Sequence, residues 1–328
     1  MSPVVTALHV GDAASTAIAL VAEARRRGLP WDHLPLATVP GGGNHLSRQV
    51  RRAATGAGWL ARLAVGARRH DVVQVHSATT LHHVRPVTRR FVLHCHGSDV
   101  RNAQYQPGRT AQIRAGLRDA EAVFYSTPDL AEHVLPLRPD ATLVPVPVDT
   151  AALPPWAPHG GRPQVVFASR WEAVKGLEAQ LETARRLLAA VGDRADVVGL
   201  DWGPAAGRAA RLGVQLRARL DHAAYLALLA GASAVVGQAA GILSASELEA
   251  LGTGAPLAVP APLPLYAVGA PPVYGTDPES VTDAVVALLE GAPHDPGRGR
   301  TWVETWHGPA IGVDIVGATY ERVMAART

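Results

Sequence analysis

The chain has very little cysteine and no long apolar run. Cys95 is the only cysteine among 328 residues, so no intrachain disulfide can form. No stretch of about eighteen apolar residues is present to span a bilayer, and the first ten residues lack the basic region and apolar core of a signal peptide. We therefore expect a cytoplasmic protein, with peripheral association as the only form of membrane contact left open.

Lysine is almost missing as well. Lys175 is the single lysine among 31 basic residues, a bias typical of a GC-rich bacterial coding sequence. The formal net charge is only +3, and the paired arginines fall in helix-like stretches where a solvated face is the ordinary interpretation. Aromatic residues do not interleave with them, so the sequence indicates no nucleic-acid partner.

Short β-branched runs alternate with helical patterns along the whole chain. This alternation predicts right-handed βαβ units around parallel sheets, and 328 residues favour two domains. A turn is predicted at PGGGN, residues 40–44, and a linker at the proline-rich and glycine-rich residues 150–163. We therefore predict an α/β protein with two Rossmann-like, doubly wound domains, over residues 1–150 and 151–308.

The stretch VVFASRWEAVKGLEAQ, residues 165–180, carries the lone lysine. An apolar strand is followed by a turn that holds Arg170 and Lys175, and then by Gly176 and a helical pattern. In open α/β sheets, ligands bind beyond the carboxyl ends of the strands. Two cations next to a helix N-terminus predict a site for a diphosphate. The alternative is a surface turn with incidental charge.

The stretch SASELEALGTGAP, residues 244–256, is interpreted as a loop that enters a helix. Free amides at Ser244, Ala245 and Ser246 are expected to bind phosphate oxygens. Glu249 is a candidate for two hydrogen bonds from a ribose diol. Helix capping and the helix dipole explain Glu247 adequately, and they explain Glu249 less well.

Two turns in the first half of the chain are further candidates. In LHCHGSDVR, His94 and His96 lie two apart on a strand, and Gly97 and Asp99 form the turn that follows. A buried, hydrogen-bonded histidine is the ordinary interpretation, but position at a strand's carboxyl end favours a ligand contact for His96. Further ligands at a recognisable spacing are missing, so we predict no metal site. In HVGDAAST, Gly11 would permit close approach of the backbone to a ligand.

These motifs, in this order, resemble the GT-B glycosyltransferases, most closely the retaining family 4 type, over essentially the whole chain. The resemblance is carried by FASRWEAVKGLEAQLETARRL, ELEALGTGAPLAV, LHCHGSDVR and the closing RTWVETWHGPAIGVDIVGATYERV. It implies two lobes that face a central cleft, the first for the acceptor and the second for the nucleotide sugar. It also implies a last helix, at about residues 309–328, that packs back on the N-terminal domain.

The resemblance implies a metal-independent hexosyltransferase without a cofactor. Arg170 and Lys175 would neutralise the leaving nucleotide diphosphate, Glu249 would bind the ribose and His96 would lie near the donor sugar. The acceptor would be a small molecule or a lipid-linked one. One departure concerns Gly241, which stands where the family has a second glutamate; Gln238 or the backbone of residues 241–246 would have to substitute.

Two other functions fit the same pattern. The first is a GT-B sugar nucleotide epimerase, which would release no nucleotide in an acceptor-dependent way. The second is a non-catalytic nucleotide-sugar binding protein, which Gly241 makes more credible. The transferase is the function that the four stretches together favour.

Overall fold

The computed structural model describes residues 4–38, 45–266 and 269–328, with the side chains of 45–47 excepted. The PGGGN turn predicted at 40–44 lies outside these ranges. Contacts divide the chain into two units, residues 1–147 with 309–328, and residues 148–308.

Both units are built from strands that alternate with helices. The strands are β1 (Ala7–Val10), β2 (Trp31–Leu34), β3 (Val72–His76), β4 (Val92–Cys95), β5 (Ala122–Tyr125), β6 (Thr142–Leu143), β7 (Gln164–Phe167), β8 (Asp196–Leu200), β9 (Gln215–Arg217), β10 (Ala234–Val236) and β11 (Leu257–Ala258). The helices are α1 (Thr16–Arg26), α2 (His45–Arg69), α3 (Leu81–Val84), α4 (Thr110–Asp119), α5 (Ala131–Val134), α6 (Leu177–Val191), α7 (Ala206–Leu212), α8 (His222–Ala230), α9 (Ala245–Thr253), α10 (Pro278–Leu289), α11 (Pro296–His307) and α12 (Pro309–Ala325).

The first unit has a six-stranded sheet in the order β2-β1-β3-β4-β5-β6, and every pairing is parallel. Strands β1, β3 and β4 are buried along their whole length. This explains why they are apolar in nearly continuous runs, since helices cover both faces of such a sheet. On one face, Trp59 and Leu63 of α2 belong to a cluster that also includes residues of α3 and α4.

Helices α1 and α12 cover the other face of the first sheet. Leu20 of α1 and Val316 and Tyr320 of α12 belong to one buried cluster. Gly312 allows the two helices to approach, because a Cβ there would lie 2.6 Å from Leu20 Cδ2. Residues 309–328 therefore complete the core of the first unit.

The second unit has a five-stranded parallel sheet in the order β11-β10-β7-β8-β9. Residues of α6, α7 and α10 form a buried cluster on one face, with Phe167 and Trp171 among its largest members. Helix α9 contacts α8 and α11. In the described ranges, no helix combines the length and apolarity needed to cross a bilayer.

The segment predicted as a linker is bound to the second unit. The amides of Trp156, Ala157 and His159 donate to carbonyls of Thr253, Ala230 and Gly231, respectively. The Trp156 indole also donates to the Ala232 carbonyl at 2.8 Å. Proline and glycine therefore mark a chain that follows the surface of a unit here, and the division falls slightly earlier, between residues 147 and 148.

Each sheet has one point at which the strand order reverses. In the first unit the chain moves from β1 outward to β2 and then returns to β3 on the other side of β1. In the second unit it moves from β7 to β8 and β9, and then returns to β10. Crevices for ligands form outside the carboxyl ends of the strands at such points. The turns after β1, β3, β7 and β10 therefore define where to look for a site.

Candidate functional site

The turn after β7 holds Arg170, as predicted, in a fixed position. Arg170 Nε lies 2.5 Å from Glu172 Oε2, although at an angle that makes an ion contact rather than a hydrogen bond. The guanidinium also lies over the Trp202 ring, 5.6 Å from its centroid. Arg219 covers the same indole at 4.7 Å. Among the described residues, the Nη groups of Arg170 contact no acidic or carbonyl oxygen, so they can serve a ligand.

Lys175 and Gly176 join this turn to the one after β10. The Ala239 amide donates to the Lys175 carbonyl at 3.0 Å, and the Gln180 amide nitrogen donates to it at 2.6 Å. Gly176 has φ +70°, and a Cβ there would lie 2.3 Å from the Ala239 carbonyl oxygen. Only glycine meets both requirements. The lone lysine therefore stands where two strand-end turns are in contact, directly before the N-terminus of α6.

Glu247 organises the start of α9. It is fully buried and closes a capping box with Ser244, whose amide donates to Oε2 at 2.8 Å. Oε1 accepts from the Gln238 amide at 3.0 Å and from the Ser169 hydroxyl at 3.1 Å. The capping interpretation of Glu247 agrees with the structure. The Ser244 amide, in contrast, is engaged and is not free for phosphate as the sequence led us to expect. In the described part of the chain, nothing accepts from the Ala245 and Ser246 amides.

Glu249 lies two residues further on and has a different environment. Its Oε1 is 2.8 Å from His222 Nε2, and its side chain is 13% exposed. Burial raises the pKa of Glu249 above its ordinary value, and the hydrogen bond to His222 opposes that rise. The carboxylate therefore has an exposed edge and a single side-chain partner, as a ribose ligand requires.

Gly241 has φ +71°, a conformation that side chains rarely adopt, although a Cβ there would meet only the Pro262 carbonyl at 3.7 Å. Gln238, the suggested substitute for the family's glutamate, is fully buried and donates to the Ile242 carbonyl at 3.1 Å. Its Oε1 accepts from no described group, and the same holds for the buried Oε1 of Gln180. The capacity that remains at Gln238 is thus that of an acceptor.

In the first unit, Gly11 and Asp99 shape the turns. Gly11 has φ +77°, and a Cβ there would lie 3.4 Å from the His76 carbonyl oxygen. Asp99 is buried and accepts from the amides of Ala78, His96, Gly97 and Val100. It ties the turns after β3 and β4 together. A carboxylate with four amide donors is saturated, so Asp99 acts on a ligand only through the turn that it holds.

His96 belongs to a set of seven polar residues that we call the polar circuit. Its members are His9, Gln74, His76, His94, His96, Ser126 and Tyr320. Six of them are at most 2% exposed, and His96 alone is partly exposed. The sequence identified only His94 and His96, since the others come from β1, β3, the turn after β5, and α12. A run of polar residues on buried strands was the available signal, because buried polar groups need partners.

Burial keeps the histidines of the circuit neutral. It lowers the pKa of His9 to about 3, that of His96 to about 4, and those of His76 and His94 well below their ordinary value. One nitrogen from each of His76, His94 and His96 lies within 4.8 Å of the other two, a spacing that would suit a metal ion. The three ring planes, however, are only 21° to 37° from parallel, and every nitrogen has a hydrogen-bond partner. Lone pairs that ligate one metal must converge, so the arrangement favours hydrogen bonding.

A cavity of about 520 Å³ opens in the first unit. Its lining includes Leu36 after β2, Thr79 after β3, His82 and His83 on α3, and Arg109 before α4. The cavity therefore lies on the side where the strands of this sheet end. It combines a guanidinium and hydroxyl groups with apolar surface, a lining suited to a polar organic molecule.

Comparison with known proteins places the architecture. No protein-family model and no curated protein sequence matches the chain. Among solved structures, HepE of Anabaena in complex with UDP-glucose gives a TM-score of 0.67 at 12% identity, over 97% of this chain and 100% of HepE. AviGT4, a glycosyltransferase involved in avilamycin A biosynthesis, gives 0.65 at 17% identity, over 98% of both chains.

A third similar structure is the UDP-forming α,α-trehalose-phosphate synthase of Burkholderia xenovorans, with a TM-score of 0.62 at 11% identity, over 97% of this chain and 99% of that one. All three are GT-B proteins. The chain therefore has the GT-B fold, and the predicted fold class is confirmed. At these identities the similarity concerns the fold, and the closer resemblance to the retaining family 4 type stays a prediction.

Proposed function

We propose that the protein is a glycosyltransferase that moves a sugar from a nucleotide diphosphate sugar to an acceptor hydroxyl or amine, with retention of configuration. The observation that carries the proposal is the contact between the turns after β7 and β10 at Lys175 and Ala239. These turns flank the point where the strand order reverses, and they bring together two cationic residues and two helix N-termini. This combination is suited to a diphosphate.

The second unit would bind the donor. Arg170 and Lys175 neutralise the diphosphate, the first held over Trp202 and the second placed before α6. Free amides at the start of α9, at Ala245 and Ser246, are positive ends of a helix dipole and suit a phosphate oxygen. Glu249 accepts from the ribose diol, for which it exchanges or shares its contact with His222.

The first unit would bind the acceptor in the cavity lined by Thr79, His82 and Arg109. Its polar lining supports a small acceptor or the head of a lipid-linked one. In the transfer step the bond from the anomeric carbon to the diphosphate oxygen breaks and a bond from that carbon to the acceptor oxygen or nitrogen forms on the same face. The acceptor proton goes to the departing phosphate. Atoms and charge balance without a protein nucleophile.

Stabilisation of the departing diphosphate is then the main catalytic contribution of the chain. Preorganised donors that face a developing negative charge contribute about 10²- to 10³-fold each. We expect a loss in this range for removal of either Arg170 or Lys175. Gln238, whose Oε1 accepts from no described group, supports a hydrogen bond from a donor sugar hydroxyl in place of the family's glutamate.

A panel of UDP-, GDP-, TDP- and ADP-sugars tests the proposal. We expect one donor to raise the melting temperature, since a ligand that binds only the folded state stabilises it. That donor should then release nucleotide diphosphate when an acceptor is added. Binding without release for any acceptor would identify a binding protein, and a changed sugar without acceptor would identify an epimerase. Either result would refute the transferase.

A further inference from the structure

The hydrogen bonds of the polar circuit have a definite direction, which Gln74 sets. The Tyr320 hydroxyl donates to Gln74 Oε1 at 2.8 Å. Since a hydroxyl has one proton, the contact of Tyr320 with His9 Nε2 at 3.2 Å must be one in which the tyrosine oxygen accepts. His9 therefore carries its proton on Nε2, and its Nδ1 is an acceptor.

The direction continues from His9 to His96. His76 lies 3.0 Å from His9 Nδ1 through its Nε2, and His96 lies 3.0 Å from His76 Nδ1 through its own Nε2. A neutral imidazole has one donor and one acceptor nitrogen, so each ring in turn donates from Nε2. The proton of His96 is therefore on Nε2, which faces the interior, and Nδ1 is left as an acceptor.

The second arm of the circuit gives the same answer independently. Gln74 Nε2 donates to His94 Nδ1 at 3.3 Å, so His94 carries its proton on Nε2 and donates to Ser126 Oγ at 3.1 Å. The Ser126 hydroxyl then donates to His96 Nδ1 at 2.8 Å. The circuit is closed, each ring nitrogen and hydroxyl of its seven members is satisfied, and all four histidines are in the same tautomer.

One link can open at little cost. The Ser126 hydroxyl has a second acceptor, the Cys95 carbonyl, at 3.1 Å. When it turns to that carbonyl, it still accepts from His94, and His96 Nδ1 is released without leaving any buried donor unpaired. Opening another link would leave a buried N–H or O–H group without an acceptor, which costs roughly 1–3 kcal/mol. His96 is also the one partly exposed member.

We propose that Tyr320, on the closing helix α12, is a positioning residue that acts through His9 and His76 to hold His96 in the Nε2–H tautomer, with Nδ1 as the acceptor for a hydroxyl of the sugar substrate. The sugar contact rests on the proposed function, whereas the link from Tyr320 to His96 does not. Ser126 occupies Nδ1 until the hydroxyl replaces it. Tyr320 touches no substrate in this role.

The test uses the full-length protein labelled with ¹⁵N-histidine and read by two-bond ¹H–¹⁵N spectra at pH 7.5. We expect His96, assigned by the loss of its signals in His96→Gln, to show a protonated Nε2 and an unprotonated Nδ1. Tyr320→Phe keeps the ring packed on Trp31 and removes only the hydroxyl. We expect it to shift the His96 nitrogens towards a mixture of tautomers and to lower kcat about tenfold, the equivalent of one hydrogen bond.

Tyr105→Phe is the matched control, since it removes a tyrosine–histidine hydrogen bond of 2.9 Å in the same unit but outside the circuit. It should leave the His96 signals unchanged. Should Tyr320→Phe not fold, Ser126→Ala decides: His96 should stay in the Nε2–H tautomer, because the arm through His76 remains. An Nδ1–H tautomer in the wild type or in Ser126→Ala, or signals that ignore Tyr320→Phe, would overturn the proposal.

Two additions separate this inference from the proposed function. UDP-glucose should move the His96 Nδ1 signal while UDP should not. If no nucleotide sugar of the panel binds but the tautomer still follows Tyr320, the proposed function fails and the positioning role stands. A sugar that binds without moving Nδ1 overturns the assigned acceptor role. Zinc chloride should change nothing; one-to-one loss of the His76, His94 and His96 signals would replace the circuit by a metal site.

Discussion

The Gly176 Cα and the Ala239 carbonyl are so close that an added Cβ would lie 2.3 Å from the carbonyl oxygen. This contact fixes the turn that carries the lone lysine against the turn that leads into α9. Both turns belong to the second unit, and both follow strands that are neighbours in its sheet.

Gly176→Ala is expected to destabilise the protein by about 2–4 kcal/mol, because it adds a clash with backbone to the cost of a left-handed conformation. Gly28→Ala is the matched control, since Gly28 has a similar φ of +75° and nothing within 4 Å of its Cβ. That variant should lose only about 1 kcal/mol. Urea unfolding measures both, and equal losses would show that the contact with Ala239 is unimportant.

Lys175→Ala is expected to weaken the binding of a nucleoside diphosphate by about 10²-fold or more, and that of the corresponding nucleoside hardly at all, because only the former presents the charge that the ammonium neutralises. Titration calorimetry with UDP and uridine compares the two. Arg194→Ala removes a cation paired with Glu290 on the surface of the same unit and is expected to change neither affinity. A similar loss for both ligands would contradict the role assigned to Lys175.

Glu249→Gln should separate stability from binding. Because burial raises the pKa of Glu249, the ionised carboxylate costs stability that the protonated form does not. The wild type should therefore lose stability as the pH rises from the unfolded-state value through the folded-state pKa. The variant should not, and it should be more stable at pH 7 by on the order of 1 kcal/mol. It should also bind uridine more weakly. Parallel pH profiles of the two proteins would count against this.

Acid should unfold the first unit through its histidines. Each is neutral in the folded state and has a depressed pKa, so the unfolded chain binds more protons below pH 6.5. Stability is complete above that pH and is lost as the pH falls towards 4, by about 1.4 kcal/mol per pH unit for each fully buried ring. Denaturant unfolding at pH 7.5, 6.0 and 5.0 measures the slope. A flat profile would mean that the rings are protonated in the fold.

The elements and the fold follow from local pattern. The helix predicted at 222–230 is α8 (His222–Ala230), and the one near 246–252 is α9 (Ala245–Thr253). Both are bounded by capping residues that periodicity and composition identify. Arg170, Lys175 and Glu249 were found because each follows a strand or opens a helix, and such positions are defined by neighbours in sequence.

The polar circuit could not be found in this way. His9, His76 and Tyr320 meet only because β1 and β3 are adjacent in the sheet and α12 packs across them, with 311 residues between His9 and Tyr320. Similarly, the sequence did not show that the Ser244 amide is spent on Glu247, because a capping box and an open anion site begin with the same residues. Pairing between distant segments decides both cases.

The closing helix also sets an order of assembly. During synthesis the ribosome releases residues 1–147 first, yet Val316, Tyr320 and Val323 belong to the buried cluster of that unit. Its apolar face therefore stays without cover while residues 148–308 emerge and form a unit of their own. The half of the molecule that is made first is thus the half that matures last, and a nascent chain halted before α12 would present that uncovered face to chaperones.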